Sequence, residues 1–348
     1  MSLLEQLGMS CPIVQAPMAG GATTPELIAA VSNFGGLGSL GAGMTPPETL
    51  SQQINTIKSL TSQAFAVNLM VLSETESSTV DTAMPQWLAQ HYADNDIEVA
   101  LPSRPAQSFA EQFQALLDNP VPVASFTFGI INLEQVAALH KVGSKVIGTA
   151  NHPLEAKAWA DIGADAVCVQ GVEAGGHRGG WLADSDTDPL GLLTLITQAR
   201  AVTKLPLIAA GGIMTGAAIK AAQAAGAEMV QMGTAFLTTH EAGINRAYKD
   251  TLLKVAQGER PALTRLTRLF SGKPARALIN DYLTTYAQYD AAQTLPPYPQ
   301  LNAMTRNLRA EASQAGDVEQ LSMWAGQGVS LVRSESAAEL MERLVREV

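Results

Sequence analysis

Short apolar runs alternate with helical patterns through the first two thirds of the chain. The runs at 12–16 (PIVQA), 36–40, 65–69 (FAVNL), 121–125, 145–148, 166–170, 207–210 and 229–232 are each bounded by turn residues. Near-continuous apolarity over four or five residues is the signature of strands covered on both faces, as in a parallel sheet. Segments with helical periodicity fill most of the gaps: 25–34, 47–59, 80–92, 110–117, 133–141, 154–162, 190–202 and 216–225. Strand–helix alternation specifies an α/β fold, and eight strands favour a TIM (β/α)8 barrel over an open sheet. The interval between the third and fourth strands is too long for one helix, so an excursion at the barrel rim is expected there.

After about Thr238 the rhythm stops. Residues 241–321 carry helical patterns, several tyrosines and a PPYP turn, but no clear buried strand. We read a barrel over 1–240 plus 322–348, and a smaller, mostly helical second domain over 241–321 that covers a substrate pocket. Val329–Val332 reads as a last strand-like piece, and 337–345 as a closing helix packed back on the barrel.

The 348 residues are ample for a buried core. A formal net charge of −10 and 5% aromatic residues argue against nucleic acid as a partner. No apolar stretch approaches the roughly 20 residues that cross a bilayer, so no membrane partner is expected, and the start of the chain has no signal-peptide pattern. A cytoplasmic protein is the default. The two cysteines, Cys11 and Cys168, sit in apolar runs and read as buried hydrophobes. No HxxxH, CxxC or converging acid cluster suggests a metal. The sequence sets no oligomeric state.

In such barrels the working residues sit at the C-terminal ends of strands, and the unusual residues of this chain fall there. The first strand runs into Ala16-Pro17-Met18-Ala19-Gly20-Gly21. The third contains Asn68. The sixth ends at Gln170 and leads into Gly175-Gly176-His177. The seventh leads into Gly211-Gly212, and the eighth carries Gln231-Met232-Gly233-Thr234. Glycines here let backbone amides approach a ligand, and the turns after the seventh and eighth strands are the usual phosphate site of this fold. A phosphorylated cofactor on Gly211–Gly212 and Gly233–Thr234 is therefore expected, with the Thr234 hydroxyl as an extra donor. Asn68 and Gln170 are amides in apolar strands and need polar partners, either a flavin ring or neighbouring backbone. Gly36-Leu37-Gly38-Ser39-Leu40-Gly41 matches G-x-G-x-x-G, but the glycines do not open a helix and no acid follows at the right distance, so they read as packing glycines. His177 follows a strand on the cofactor face. Its imidazole is suited to act as a base, or as a cation that holds an anion. His240 is a weaker second candidate.

Taken together, APMAGG, VNL at 67–69, QGVEAGGHRG at 170–179, AAGGI at 209–213, QMGTAFL at 231–237, FSGKPAR at 270–276 and WAGQGV at 324–329 resemble the nitronate monooxygenases, class I, over nearly the whole chain. Lys273 stands where arginine is common in that family. The resemblance implies non-covalent FMN held by Asn68, Gln170, Gly175, Gly212 and Gln231–Thr234, with His177 as the active-site histidine. It implies oxidation of alkyl nitronates, such as propionate 3-nitronate, by O2 to a carbonyl product and nitrite. A nitronate is already a carbanion equivalent, so it can pass one electron to the flavin and leave O2 to complete the oxidation. Tyr282, Tyr286 and Tyr289 fall on one face of an expected helix and could roof the pocket over the substrate, or simply pack. The alternative reading is an FMN-dependent NAD(P)H:quinone or enoyl reductase on the same barrel. A flavin-binding carrier without turnover is a further rival. So is a cysteine-dependent enzyme like the inosinate dehydrogenases, although Cys168 lies inside an expected strand.

Overall fold

The computed structural model describes residues 2–78, 83–182, 189–292 and 294–348. Among the described residues there are eleven strands: β1 Ile13–Gln15, β2 Gly38–Gly41, β3 Phe65–Met70, β4 Val123–Thr127, β5 Lys145–Ala150, β6 Ala166–Gln170, β7 Gly176–His177, β8 Leu207–Ala210, β9 Met229–Met232, β10 Thr264–Thr267 and β11 Ala275–Leu278. Eight form one parallel sheet in the order β1-β9-β8-β6-β5-β4-β3-β2. The two ends meet through the parallel bridge Val14–Leu37, where the Leu37 amide donates to Ile13 O (3.0 Å) and the Gln15 amide to Leu37 O (2.9 Å). The buried Gln15 side chain reinforces this seam by accepting from the Ser39 amide (3.0 Å). The fold is thus an α/β (TIM) barrel, and its eight strands are those expected from the apolar runs, displaced by at most two residues at either end.

Alternation along the strands divides the barrel core into an inner and an outer layer. Val14, Leu37, Ala66, Val123, Ile147, Ala166, Cys168, Ile208, Ala210 and Met229 fill the barrel interior, and Leu3 and Met9 join them from the N-terminal segment. The intervening residues, among them Val67, Leu69, Val167, Val169, Ala209 and Val230, pack outward against the helices. The same period carries functional consequence. Asn68, Ser125, Gln170 and Gln231 share the parity of Ala66, Val123, Ala166 and Met229, so at the C-terminal ends of their strands they also point inward. Polar side chains replace apolar ones where the barrel opens.

Local sequence sets the helix boundaries. Helix Pro25–Phe34 starts on Thr24, whose hydroxyl accepts from the Leu27 amide, has Pro25 at its first position, and stops at Gly35 (φ +106°). Gly38 behaves as the packing glycine expected of the G-x-G-x-x-G match: a Cβ there would lie 2.3 Å from Ile28 O, the carbonyl of the covering helix.

Three expectations need correction. First, residues 241–321 are not free of strands. β10 and β11 pair antiparallel, and β11 continues onto β7, with Ala275 opposite His177 and Arg276 opposite Gly176. TRLT and ARAL are too short and too interrupted by arginine to show a period. Arg276 is tolerated because its guanidinium donates to Val172 O (2.9 Å) and to the Thr264 hydroxyl (3.3 Å). Second, Val329–Leu331 is a 3-10 turn and not a strand. A closed barrel leaves no edge for a ninth strand, and a three-residue apolar run carries no period that separates the two forms. Third, the helix expected at 80–92 is observed at Gln86–Asp94; residues 80–82 lie outside the described residues.

That helix belongs to the excursion between β3 and β4. Leu88 and Tyr92 are fully buried in a second, separate core with Leu269, Phe270, Ala277, Tyr282, Leu283, Leu301, Met304 and Leu308. Among the described residues, no helix is long and apolar enough to cross a membrane.

Candidate active site

A cavity of about 500 Å³ opens at the C-terminal ends of the barrel strands, within the range of roughly 300–1,000 Å³ usual for small-molecule sites. Fourteen of the residues singled out above line it: Ala16, Pro17, Met18, Asn68, Gln170, Gly175, Gly176, His177, Gly211, Gly212, Gln231, Met232, Gly233 and Thr234. They come from five strands and are brought together only by barrel closure.

The glycines permit both backbone conformation and close approach. Gly211 and Gly212 adopt φ of +122° and +69°, and Gly176 adopts +73°. A Cβ at Gly175 would lie 2.4 Å from the Gly326 amide nitrogen. The Gly326 amide in turn donates to the Thr234 hydroxyl (2.9 Å), so Thr234 holds the 326 loop and keeps its own hydroxyl proton to give. Larger residues at these points would close the floor of the cavity.

The two strand amides have different duties. Gln170 is largely satisfied by protein. Its Oε1 accepts from the Gly179 amide (2.9 Å) and from Asn151 Nδ2 (2.8 Å), and its Nε2 donates to His177 O (3.1 Å). It therefore clamps the loop that carries His177. Asn68 donates Nδ2 to the Ser125 hydroxyl (3.0 Å), while its other amide atom has no hydrogen bond among the described residues. That unpaired acceptor on the cavity wall suits a ring N–H.

A second clamp lies beneath the same loop. Glu155 is fully buried and accepts from the backbone amides of Asn151 (2.6 Å), His152 (3.2 Å), Trp181 (2.6 Å) and Leu182 (2.8 Å). A side chain at Gly180 would run into this carboxylate.

His177 sits in an aromatic enclosure. Its ring centroid lies 5.6 Å from Phe128, 5.8 Å from Tyr298 and 5.2 Å from Trp324. Its Nε2 is 2.9 Å from the Ser271 hydroxyl. That hydroxyl also lies 3.1 Å from Lys273 O; donating there, it leaves its oxygen to accept from Nε2–H of His177. Burial pushes the imidazole down to about 3, and repulsion from the Lys273 and Arg309 charges adds to the shift. At neutral pH the ring is uncharged. The protein's own groups thus disfavour the cationic role, one of the two open to it from sequence.

Several lining residues escaped the sequence reading. Phe128 follows β4 and holds φ +72°, rare for a residue with a side chain; its amide donates to Gly179 O (2.8 Å), which fixes the strain. The rule applied to the other strand ends would have found it. Tyr298 lies in the PPYP turn and donates its hydroxyl to Met70 Sδ (3.2 Å). Trp324 belongs to the WAGQGV segment. Arg309, on the helix Arg306–Ala315, carries no signal that separates it from any surface arginine.

Tyr282, Tyr286 and Tyr289 do not line the cavity. Tyr282 stacks on Phe270 at 4.5 Å, Tyr289 stacks on Trp87 at 5.2 Å, and the Tyr286 hydroxyl meets His91 Nδ1 at 2.7 Å. Their shared face is directed into the second core, because the excursion helix supplies aromatic partners there. Tyr298 is the tyrosine that reaches His177. Cys168 does line the cavity, but burial pushes its thiol up to about 12, too high for a thiolate nucleophile. His240 is not among the lining residues. Among the described residues, no group of three or more His, Cys, Asp or Glu could hold a metal.

A barrel that gathers glycine turns, inward amides and a histidine around a cavity at its open end has the form of a ligand-binding α/β-barrel enzyme. The family profile described as nitronate monooxygenase matches residues 2–347. A probable nitronate monooxygenase of Staphylococcus haemolyticus (strain JCSC1435) is 40% identical, with 99% of this chain and 96% of the relative covered. One from Staphylococcus aureus (strain Newman) is 36% identical over the same shares. Among solved structures, the nitroalkane oxidase of Streptomyces ansochromogenes superposes with TM-score 0.88 at 39% identity, covering 99% of this chain and 97% of that one. FabK from Thermotoga maritima superposes with TM-score 0.76 at 28% identity, covering 99% and 94%. The chain belongs to the nitronate monooxygenase family, enzymes that are flavin-dependent oxidoreductases.

Proposed function

We propose that the cavity holds FMN and that the enzyme oxidises alkyl nitronates with O2. The observation that carries this reading is the cradle itself. Gly211–Gly212 and Gly233–Thr234 offer amides and a hydroxyl for a phosphate at the ends of β8 and β9, while the unpaired Oδ1 of Asn68 on the cavity wall is open to a ring N–H. These residues fit FMN. Ala16–Met18, Gln170, Gly175, Gly176, Gln231 and Met232 complete the surround.

Bound flavin supplies one-electron acceptance and reactivity with O2. The chain supplies position. Gln170 and Glu155 fix the loop that presents His177. His177, neutral and tied at Nε2 to the Ser271 hydroxyl, forms the substrate-side wall of the cavity with its ring face and edge. Phe128, Tyr298 and Trp324 wall the reaction space and exclude water. Because the nitronate is already the carbanion equivalent, no strong base is needed. On balance, two nitronates and one O2 give two carbonyl products and two nitrite ions. Each C–N bond is broken, each carbon gains an oxygen, and the nitrogen leaves as nitrite.

The test is to release and identify the bound flavin, and to assay nitrite and carbonyl product from propionate 3-nitronate. FMN at one per chain with equimolar nitrite and carbonyl supports the reading. A protein that binds FMN but yields no nitrite would reject it.

A further inference from the structure

Arg309 is a cation held in place with no carboxylate among the described residues to answer its charge. Its Nη2 donates to the carbonyl and side-chain oxygens of Asn302 (2.7 and 2.9 Å), and its Nε to Thr305 O (3.3 Å). These bonds run to the helix segment just before it and lock the guanidinium plane. Nη1 has no hydrogen bond among the described residues. Nor does any carboxylate of those residues lie within ion-pair distance of Arg309. The groups that act on it electrostatically are the hydroxyls of Tyr298, Tyr282 and Tyr92 and the like charge of Arg306.

This unanswered charge faces the cavity. Arg309, Asn302 and Tyr298 all line it beside His177. A guanidinium stays protonated, and one half-withdrawn from water is costly to hold without a counter-ion. Proteins keep such groups where a ligand completes the pair. The protein's own groups leave His177 neutral, and Lys273 is turned toward Gly180 O (3.1 Å) and the Phe128 ring (5.0 Å). With Nε held by Thr305 and Nη2 by Asn302, the two N–H groups of Nη1 are left to meet the oxygens of a planar anion.

We propose that Arg309 is the anion receptor of the site, a specificity-determining residue that binds the charged oxygens of the substrate. The anion is a planar oxyanion, either the nitronate group itself or a carboxylate carried by the same molecule. The identity of the anion rests on the nitronate reading; the receptor does not.

The test is binding of nitrate, a planar oxyanion that is not turned over, to the flavin-loaded enzyme. Calorimetry or perturbation of the flavin absorbance would follow it in wild type, R309Q, R309K and R306Q. Arg306 is exposed on the same helix, so R306Q removes the same charge without touching the cavity. The proposal expects R309Q to weaken nitrate at least tenfold, R309K to recover part of the loss and R306Q to bind as wild type. The Michaelis constants of propionate 3-nitronate and propyl-1-nitronate locate the grip: both rise in R309Q if Arg309 holds the nitronate, and only the first rises if it holds the carboxylate. Nitrate binding unchanged in R309Q, or absent from wild type, would overturn the proposal. So would loss of FMN from R309Q, which would assign Arg309 to the cofactor. Nitrate binding that depends on Arg309, in a protein that oxidises no nitronate, would leave the receptor standing and reject only the activity.

Discussion

His177 was the residue that drew most attention in the sequence, and its surroundings narrow what it can do. Burial and the charges of Lys273 and Arg309 hold its proton off down to about pH 3. A group with so low a value is uncharged across the working range, so it contributes no ionisation to kcat/KM between about pH 5 and 8. If it were instead a cationic anchor with an ordinary value near 6.5, the KM for nitronate would climb as pH rises through that value. A kcat/KM profile with propionate 3-nitronate decides this, and we expect no step there. A base of such low proton affinity also draws little from a C–H bond. Neutral nitroalkanes are therefore expected to turn over about a hundredfold or more slowly than their nitronates. His177→Asn should cut turnover sharply while the flavin stays bound, read by activity and flavin content together. The candidate site was legible because barrel closure gathers strand ends, and the sequence shows which residues lie at strand ends. Arg309 was not legible. It acts because the helix Arg306–Ala315 lies against the mouth of the cavity, and no local pattern records that. The tyrosine face at 282, 286 and 289 was visible, but periodicity reports a buried face without saying what buries it.

At the level of elements, the loop from Gly171 to Leu182 is the part most tightly specified. β7 within it pairs with β11, Gln170 holds it from one side and Glu155 from the other. Glu155→Gln removes an acceptor and turns an N–H toward buried amide donors, with an expected cost of roughly 2–4 kcal/mol. Thermal unfolding should shift down, and the KM for nitronate should rise as the His177 loop loosens. Gly175→Ala tests the cradle. Its methyl would fall on the Gly326 amide and Ala325 backbone, which can move only by opening the loop. Overpacking of this kind costs about 1–3 kcal/mol, and flavin content should fall with it. Strand and helix positions in the barrel were readable because each is long enough to show apolarity or a period. β7, β10 and β11 were not, because two to four residues interrupted by arginine, glycine or histidine take their form from their partners.

On the scale of the whole molecule, two cores meet at the cavity. The barrel core supplies glycine turns and inward amides. The second core draws on the excursion between β3 and β4 and on the later segment, and it presents Tyr298, Trp324 and Arg309 from above. We propose that this second unit is the substrate-side half of the site. Leu88, fully buried there, lies far along the chain from every residue of the cradle. Leu88→Ala is expected to cost about 2–5 kcal/mol through the cavity it leaves. If the division holds, nitronate KM should suffer more than flavin content, measured side by side. The net charge of −10 makes the division chemically sensible, since an anion entering an acidic protein needs a local cation to stop at.

The measurement that bears most directly on the account is O2 uptake by the purified, flavin-loaded protein, given propionate 3-nitronate in one cell and NADH in another. The account predicts rapid uptake with stoichiometric nitrite from the nitronate and no response to NADH. Flavin bleached by NADH, with no uptake on adding nitronate, would contradict it and leave a reductase on the same barrel.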